Sequence, residues 1–158
     1  MIKMEFREIQ QDLFDLDKEK YHFAQCISSD CQMDAGIAVH FNRSFKLRKR
    51  LLVKSKKELA HPTCVKVEGT KVFNLITKER YWNIPTYESV RETLESMKDQ
   101  IEAENITKLA MPKIASGLDQ KKWEKIREMI KDVFKDTDIE IVVCYLGEDF
   151  PTDITPIA

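Results

Sequence analysis

Two apolar patterns alternate along this chain, and their order constrains the fold more than any other feature. Short runs rich in β-branched and aromatic residues are separated by stretches in which apolar residues recur every three or four positions, the signatures of strands and of amphipathic helices. Met1 to Phe6 and Tyr21 to Ser28 read as strands, and Gly36 to Lys57 as a helical region. Cys64 to Glu68 and Lys71 to Thr77 read as two strands joined across Glu68-Gly69-Thr70, a hairpin signal. Thr86 is placed to cap a helix with Tyr87, Val90, Leu94, Met97 and Ile101 on one face. Lys108 to Met111 is a further strand, and Trp123, Ile126, Ile130, Val133 and Phe134 mark a second amphipathic helix. Ile139 to Leu146 is apolar enough for a strand buried on both faces. Strands alternating with helices predict an α/β domain with a mixed sheet.

A length of 158 residues fits one domain with a real core. The patterned part ends near Leu146, so residues 1–146 read as the domain and 147–158, polar with two prolines, as an extended tail. A formal net charge of -1 argues against general affinity for nucleic acid. No apolar run approaches the roughly 18 residues of a membrane span, and the start of the chain lacks the layout of a signal peptide. The expectation is therefore a cytoplasmic monomer with no membrane contact. Cys26, Cys64 and Cys144 lie in strand-like apolar runs, and Cys31 forms no CxxC pair. Reduced thiols are expected, with no metal site. The three histidines show no ligand spacing either, and no cofactor is implied.

In open α/β sheets, ligands bind beyond the carboxyl ends of the strands. Three segments fall there: "SSDCQMDAGIA" (28–38), "TKERYWNIPT" (77–86) and "PKIASGLD" (112–119). The first and third carry small-residue turns ahead of a helix, where free N–H groups favour an anion. Two such turns suit a diphosphate. They equally serve to pack a helix on a sheet, and spacing alone leaves both readings open.

The blocks "QDLF" (11–14), "CISSDCQMDAGIAVHF" (26–41), "NLITKERY" (74–81), "PTYESVRETLESMK" (85–98) and "MPKIASGLDQKKWEKI" (111–126) together resemble the macrodomain family, in their order and spacing. Within it they are most similar to the branch of terminal ADP-ribose protein glycohydrolases. The likeness runs from the first strand to about Leu146. It implies a three-layer α/β/α sandwich around a central mixed sheet, binding ADP-ribose and mono-ADP-ribosylated proteins. By this resemblance Asp12 accepts from the adenine amino group, with Leu13 beside it. Ser28 lines the distal-ribose end, Ala35, Gly36 and Ile37 wrap the diphosphate, and Ser116, Gly117 and Leu118 form the second phosphate loop. Lys78 matches the catalytic lysine and Asp119 the catalytic aspartate.

The implied reaction removes ADP-ribose from an ester-linked acidic side chain, with O-acetyl-ADP-ribose as a related ester. An ammonium cannot attack, so such a lysine needs somewhere to send its proton. Without the resemblance, Lys78 is a solvated lysine and Asp119 a helix N-cap, with Ser116 and Asp119 spaced as a capping box. Three positions depart from the family pattern: Gln11, Asp34 and Ala115 stand where glycine is usual. Ala115 lacks glycine's freedom for positive φ, which predicts a differently shaped turn.

Arg43 to Lys57 holds eight basic residues and no acid. It reads as an amphipathic helix whose basic face is either simply solvated or steers an anionic substrate such as ADP-ribosylated nucleic acid. The alternatives to a protein glycohydrolase are a reader that binds ADP-ribose without turnover, an ADP-ribose 1''-phosphate phosphatase, a hydrolase of ADP-ribosylated DNA, and an interaction domain that binds no nucleotide.

Overall fold

The computed structural model describes residues 3–33, 36–117 and 119–147. Asp34, Ala35, Leu118 and the tail from residue 148 onward lie outside these, so the expectations placed on them are not taken further.

Six strands form one sheet: β1 (Met4–Gln10), β2 (His22–Ser28), β3 (Thr63–Lys66), β4 (Val72–Lys78), β5 (Lys108–Met111) and β6 (Ile139–Tyr145). Their order across the sheet is β1-β6-β5-β2-β4-β3. Every neighbouring pair is parallel except β3 with β4. The exception is the expected hairpin, and it makes the sheet mixed. Because five strands run the same way, the loops after β1, β2, β4, β5 and β6 all emerge at one edge.

Helices α1 (Ile37–Phe45), α2 (Leu47–Leu51), α3 (Tyr87–Ala103) and α4 (Trp123–Phe134) complete the fold. The apolar side chains divide into two clusters. One joins Val90, Leu94 and Met97 of α3 and Ile126 and Ile130 of α4 to Phe73, Leu75, Ile141 and Val143. The other joins Phe41 of α1 and Leu47 and Leu51 of α2 to Phe23, Val72, Ile76 and Val142. Neighbouring positions of β4 and of β6 thus feed opposite clusters, as strand geometry requires. The result is the expected three-layer α/β/α sandwich.

Helix α3 begins where predicted. The Thr86 hydroxyl accepts from Ser89 N–H at 2.9 Å, and the Ser89 hydroxyl accepts from Thr86 N–H at 3.1 Å, satisfying two donors that a helix start leaves open. Three expectations need correction. The first strand runs Met4–Gln10 and so continues past Phe6, while Met1 and Ile2 of the expected strand lie outside the described residues. The region 36–57 is two helices, broken at Lys46 in the left-handed conformation (φ 54°) and ending at Leu51. Helix α4 begins at Trp123, with Lys122 at its cap position and no side-chain cap.

Candidate active site

Lys78 is the last residue of β4, where the pairing of β2 with β4 shifts register: Ile27 faces Ile76, but Ser28 faces Lys78. Such a bulge bends the strand and re-aims the side chain that follows. Lys78 Nζ lies 2.7 Å from Asp119 Oδ1, and the two side chains are only 15% and 13% exposed. The expected pair therefore meets, across 41 residues of sequence.

Ser28, Gly36, Ile37, Lys78 and Asp119 line one cleft of about 220 Å³ at the carboxyl edge of the sheet. Gly36 heads α1 with φ 61° and ψ −151°, a conformation confined almost wholly to glycine. The start of α1 therefore lies at the cleft, which Gly36 and Ile37 both line. Ala115 also lines the cleft. It adopts φ 59°, so the turn keeps a left-handed residue without glycine, at a cost of about 1–2 kcal/mol. Positive φ is thus adopted at Ala115 although it lacks glycine's freedom.

Ser116 and Gly117 are buried beneath that turn and do not line the cleft. The Ser116 hydroxyl donates to the carbonyl of Lys113 at 2.8 Å, and Ser116 caps no helix, since α4 begins only at Trp123. Asp119 is not the helix cap or at the helix entrance, because α4 starts four residues later. The Lys122 N–H is held instead by the Tyr87 hydroxyl at 2.9 Å, which ties the starts of α3 and α4 together. Asp119 is thereby left to Lys78.

Asp12 and Leu13 lie at the same sheet edge, after β1, and outside the cleft lining. Gln11 N–H donates to the carbonyl of Tyr145 at 2.9 Å, fixing this turn beside β6. Asp12 is exposed and accepts from Phe14 N–H at 3.0 Å, while Leu13 packs in the core.

Asp30 was not legible as a site residue. Its Oδ1 accepts from the Ser28 hydroxyl and from Gln32 N–H, and its Oδ2 accepts from Tyr81 N–H at 3.1 Å. Ser29 N–H and Asp30 N–H donate to the carbonyls of Lys78 and Glu79. One carboxylate therefore clamps the loop after β2 to the loop that follows Lys78. Burial pushes the Asp30 carboxyl up, but the bonds from Ser28, Tyr81 and Gln32 outweigh it and hold the group below the usual carboxylate range. With the folded value depressed, its contribution to stability is complete above the unfolded value of about 3.9 and is lost as pH falls through the folded one. Wild type should lose stability on acidification below about pH 4, and Asp30→Asn should lose less over that window. Denaturant unfolding at pH 6 and pH 3 checks this; equal losses would refute the clamp.

Three of the four thiols are held protonated by burial. Burial pushes Cys31 and Cys144 up to about 11, and Cys64 is raised further by burial alone. None of the four cysteines is in a disulfide. Among the described residues, no group of three or more His, Cys, Asp or Glu side chains could hold a metal ion, and no helix is long and apolar enough to cross a membrane.

No family model matches the chain. It is 42% identical over 135 residues to the ADP-ribose glycohydrolase OARD1 of Homo sapiens, covering 85% of this chain and 88% of that protein. It is 43% identical over 118 residues to the protein of the same name from Bos taurus, covering 75% and 77%. The chain belongs to the ADP-ribose glycohydrolase family. Membership places it among hydrolases. Solved structures agree on the fold: the macrodomain of Thermus aquaticus DarG matches with a TM-score of 0.73 at 17% identity, over 89% of this chain and 98% of that one. Thermosipho africanus DarTG in complex with ADP-ribose matches with a TM-score of 0.76 at 15% identity, over 94% of this chain and 43% of that one. The fold is a macrodomain.

Proposed function

We propose that this chain hydrolyses the ester linking mono-ADP-ribose to acidic side chains of proteins, with Lys78 as nucleophile and Asp119 as its proton partner. The observation that carries this reading is the 2.7 Å Lys78–Asp119 pair in a cleft at the sheet edge. The adenine amino group donates to Asp12, and the diphosphate lies between the start of α1 and the turn at Ala115, where backbone N–H groups favour an anion. The distal ribose then reaches Ser28 and Lys78.

Lys78 passes a proton to Asp119, and its lone pair attacks the anomeric carbon of that ribose. The bond from this carbon to the acceptor oxygen breaks, and the carboxylate of the acceptor leaves with the bonding pair. As the ribose ring opens, a second proton moves from Nζ to the ring oxygen, which leaves a protonated imine between Nζ and the same carbon. Water adds to the imine, Asp119 returns the proton, and lysine and free ADP-ribose separate. O-acetyl-ADP-ribose, an ester of the same sugar, is a second substrate of this reading.

Asp119→Ala should slow release of ADP-ribose from a protein mono-ADP-ribosylated on glutamate by about a hundredfold or more, with ADP-ribose binding retained. Tight binding of ADP-ribose by wild type with no release would mean a reader. Phosphate release from ADP-ribose 1''-phosphate, unaffected by Lys78→Ala, would mean a phosphatase.

A further inference from the structure

Six large hydrophobic side chains are exposed among the described residues: Leu52, Val53, Tyr81, Trp82, Ile84 and Leu146. Five of them fall in two short segments, 52–53 and 81–84. Exposed apolar residues scattered singly need no explanation, but clustered ones mark interaction surfaces. Leu52 lines a groove of about 590 Å³ together with Lys54, Lys56 and Arg80. Tyr81, Trp82 and Ile84 line the cleft that contains Lys78. Residues 79–84 are thus a wall shared by the cleft and the groove.

That wall is held in place. Asp30 accepts from Tyr81 N–H, and Asn83 closes a tight turn by accepting from Arg80 N–H at 2.8 Å and donating to the Arg80 carbonyl at 3.0 Å. The Tyr81 and Trp82 rings meet edge to face at 5.0 Å. A fixed aromatic pair loses little freedom on binding, which favours its use as an anchor. Trp82, on the cleft side of the wall, is 65% exposed and Leu52, in the groove, 51%, so each offers apolar surface to a partner.

We propose that this groove and its wall dock the acceptor protein, taking an extended segment with apolar and acidic side chains beside its modified residue. This rests on the glycohydrolase reading above. Leu52 and Trp82 meet the apolar side chains, and Lys54, Lys56 and Arg80 meet the acidic ones. The chemistry favours protein over nucleic acid because Asp30 and Glu79 also line the groove. A phosphodiester strand sets an unbroken row of charges against these carboxylates and against the exposed Leu52, whereas a peptide can place acids at the lysines and apolar or basic side chains elsewhere.

The test is steady-state release of ADP-ribose from a glutamate-modified protein by wild type, Leu52→Ser and Lys54→Glu/Lys56→Glu, with ADP-ribose affinity by calorimetry. The double variant should raise KM for the protein roughly tenfold and Leu52→Ser several-fold, with kcat and ADP-ribose affinity as in wild type. An unchanged KM, or an ADP-ribose affinity that falls in step, overturns the docking site. So does a loss confined to a mono-ADP-ribosylated DNA oligonucleotide run in parallel, which would assign the groove to nucleic acid. Wild type that releases ADP-ribose from no substrate defeats the glycohydrolase reading itself, before any variant is compared, and the docking site falls with it.

Discussion

Lys78→Ala should abolish release of ADP-ribose from a glutamate-modified protein, lowering kcat by about a thousandfold or more, which corresponds to about 4 kcal/mol of transition-state stabilisation. ADP-ribose itself should still bind, because the groups proposed to hold adenine and diphosphate stand on other elements. Lys78 is fixed by the sheet on one side and by Asp119 on the other, so the amine is already placed before substrate arrives. Removing it deletes the proposed nucleophile without opening the core. A variant that keeps a tenth of wild-type turnover would assign bond cleavage to water or another group.

Phe41→Ala should produce the largest loss of stability. Phe41 on α1 is fully buried, meets Phe14 edge to face at 5.0 Å and Phe23 at 6.5 Å, and stacks on Phe45 at 6.1 Å. Truncating such a ring costs about 3–5 kcal/mol, a large share of the roughly 5–15 kcal/mol that holds a domain together. For a chain of this size the melting midpoint should fall by on the order of 10 °C. Helix α1 also carries Gly36 and Ile37 at its start, so ADP-ribose affinity should weaken in the same variant. Calorimetric melting checks the first effect and titration the second; a shift of a degree or two would mean that α1 does not pack on the sheet as described.

Elements whose pattern is set by burial were legible from sequence. Lys108–Met111 forms the strand expected of it, and the spacing from Tyr87 to Ile101 and from Trp123 to Phe134 places both long helices. The first strand was harder, because Arg7 and Glu8 interrupt its apolar run. Those charges are used: Glu8 accepts from the Trp123 indole at 2.8 Å and from Arg127 at 2.6 Å, joining β1 to α4. The break at Lys46 left no mark, since neither glycine nor proline stands there.

In the candidate site, Lys78 and Asp119 were singled out by resemblance, and their side chains meet. Residue types alone would have made Asp119 a cap, and only the later start of α4 and the Tyr87 bond to Lys122 N–H exclude that. Asp30 gave no signal because its partners include a backbone N–H 51 residues away. A clamp of that kind is visible only once β2 and β4 are paired.

The most direct test of the central claim is to run the reaction on a glutamate-modified protein in the presence of borohydride and map the products by mass spectrometry. Reduction of the imine would leave an ADP-ribose-derived group fixed to the peptide that contains Lys78, and to no other lysine, with turnover halted as it accumulates. Continued release of ADP-ribose with Lys78 unmodified, and persisting in Lys78→Ala, would contradict the account.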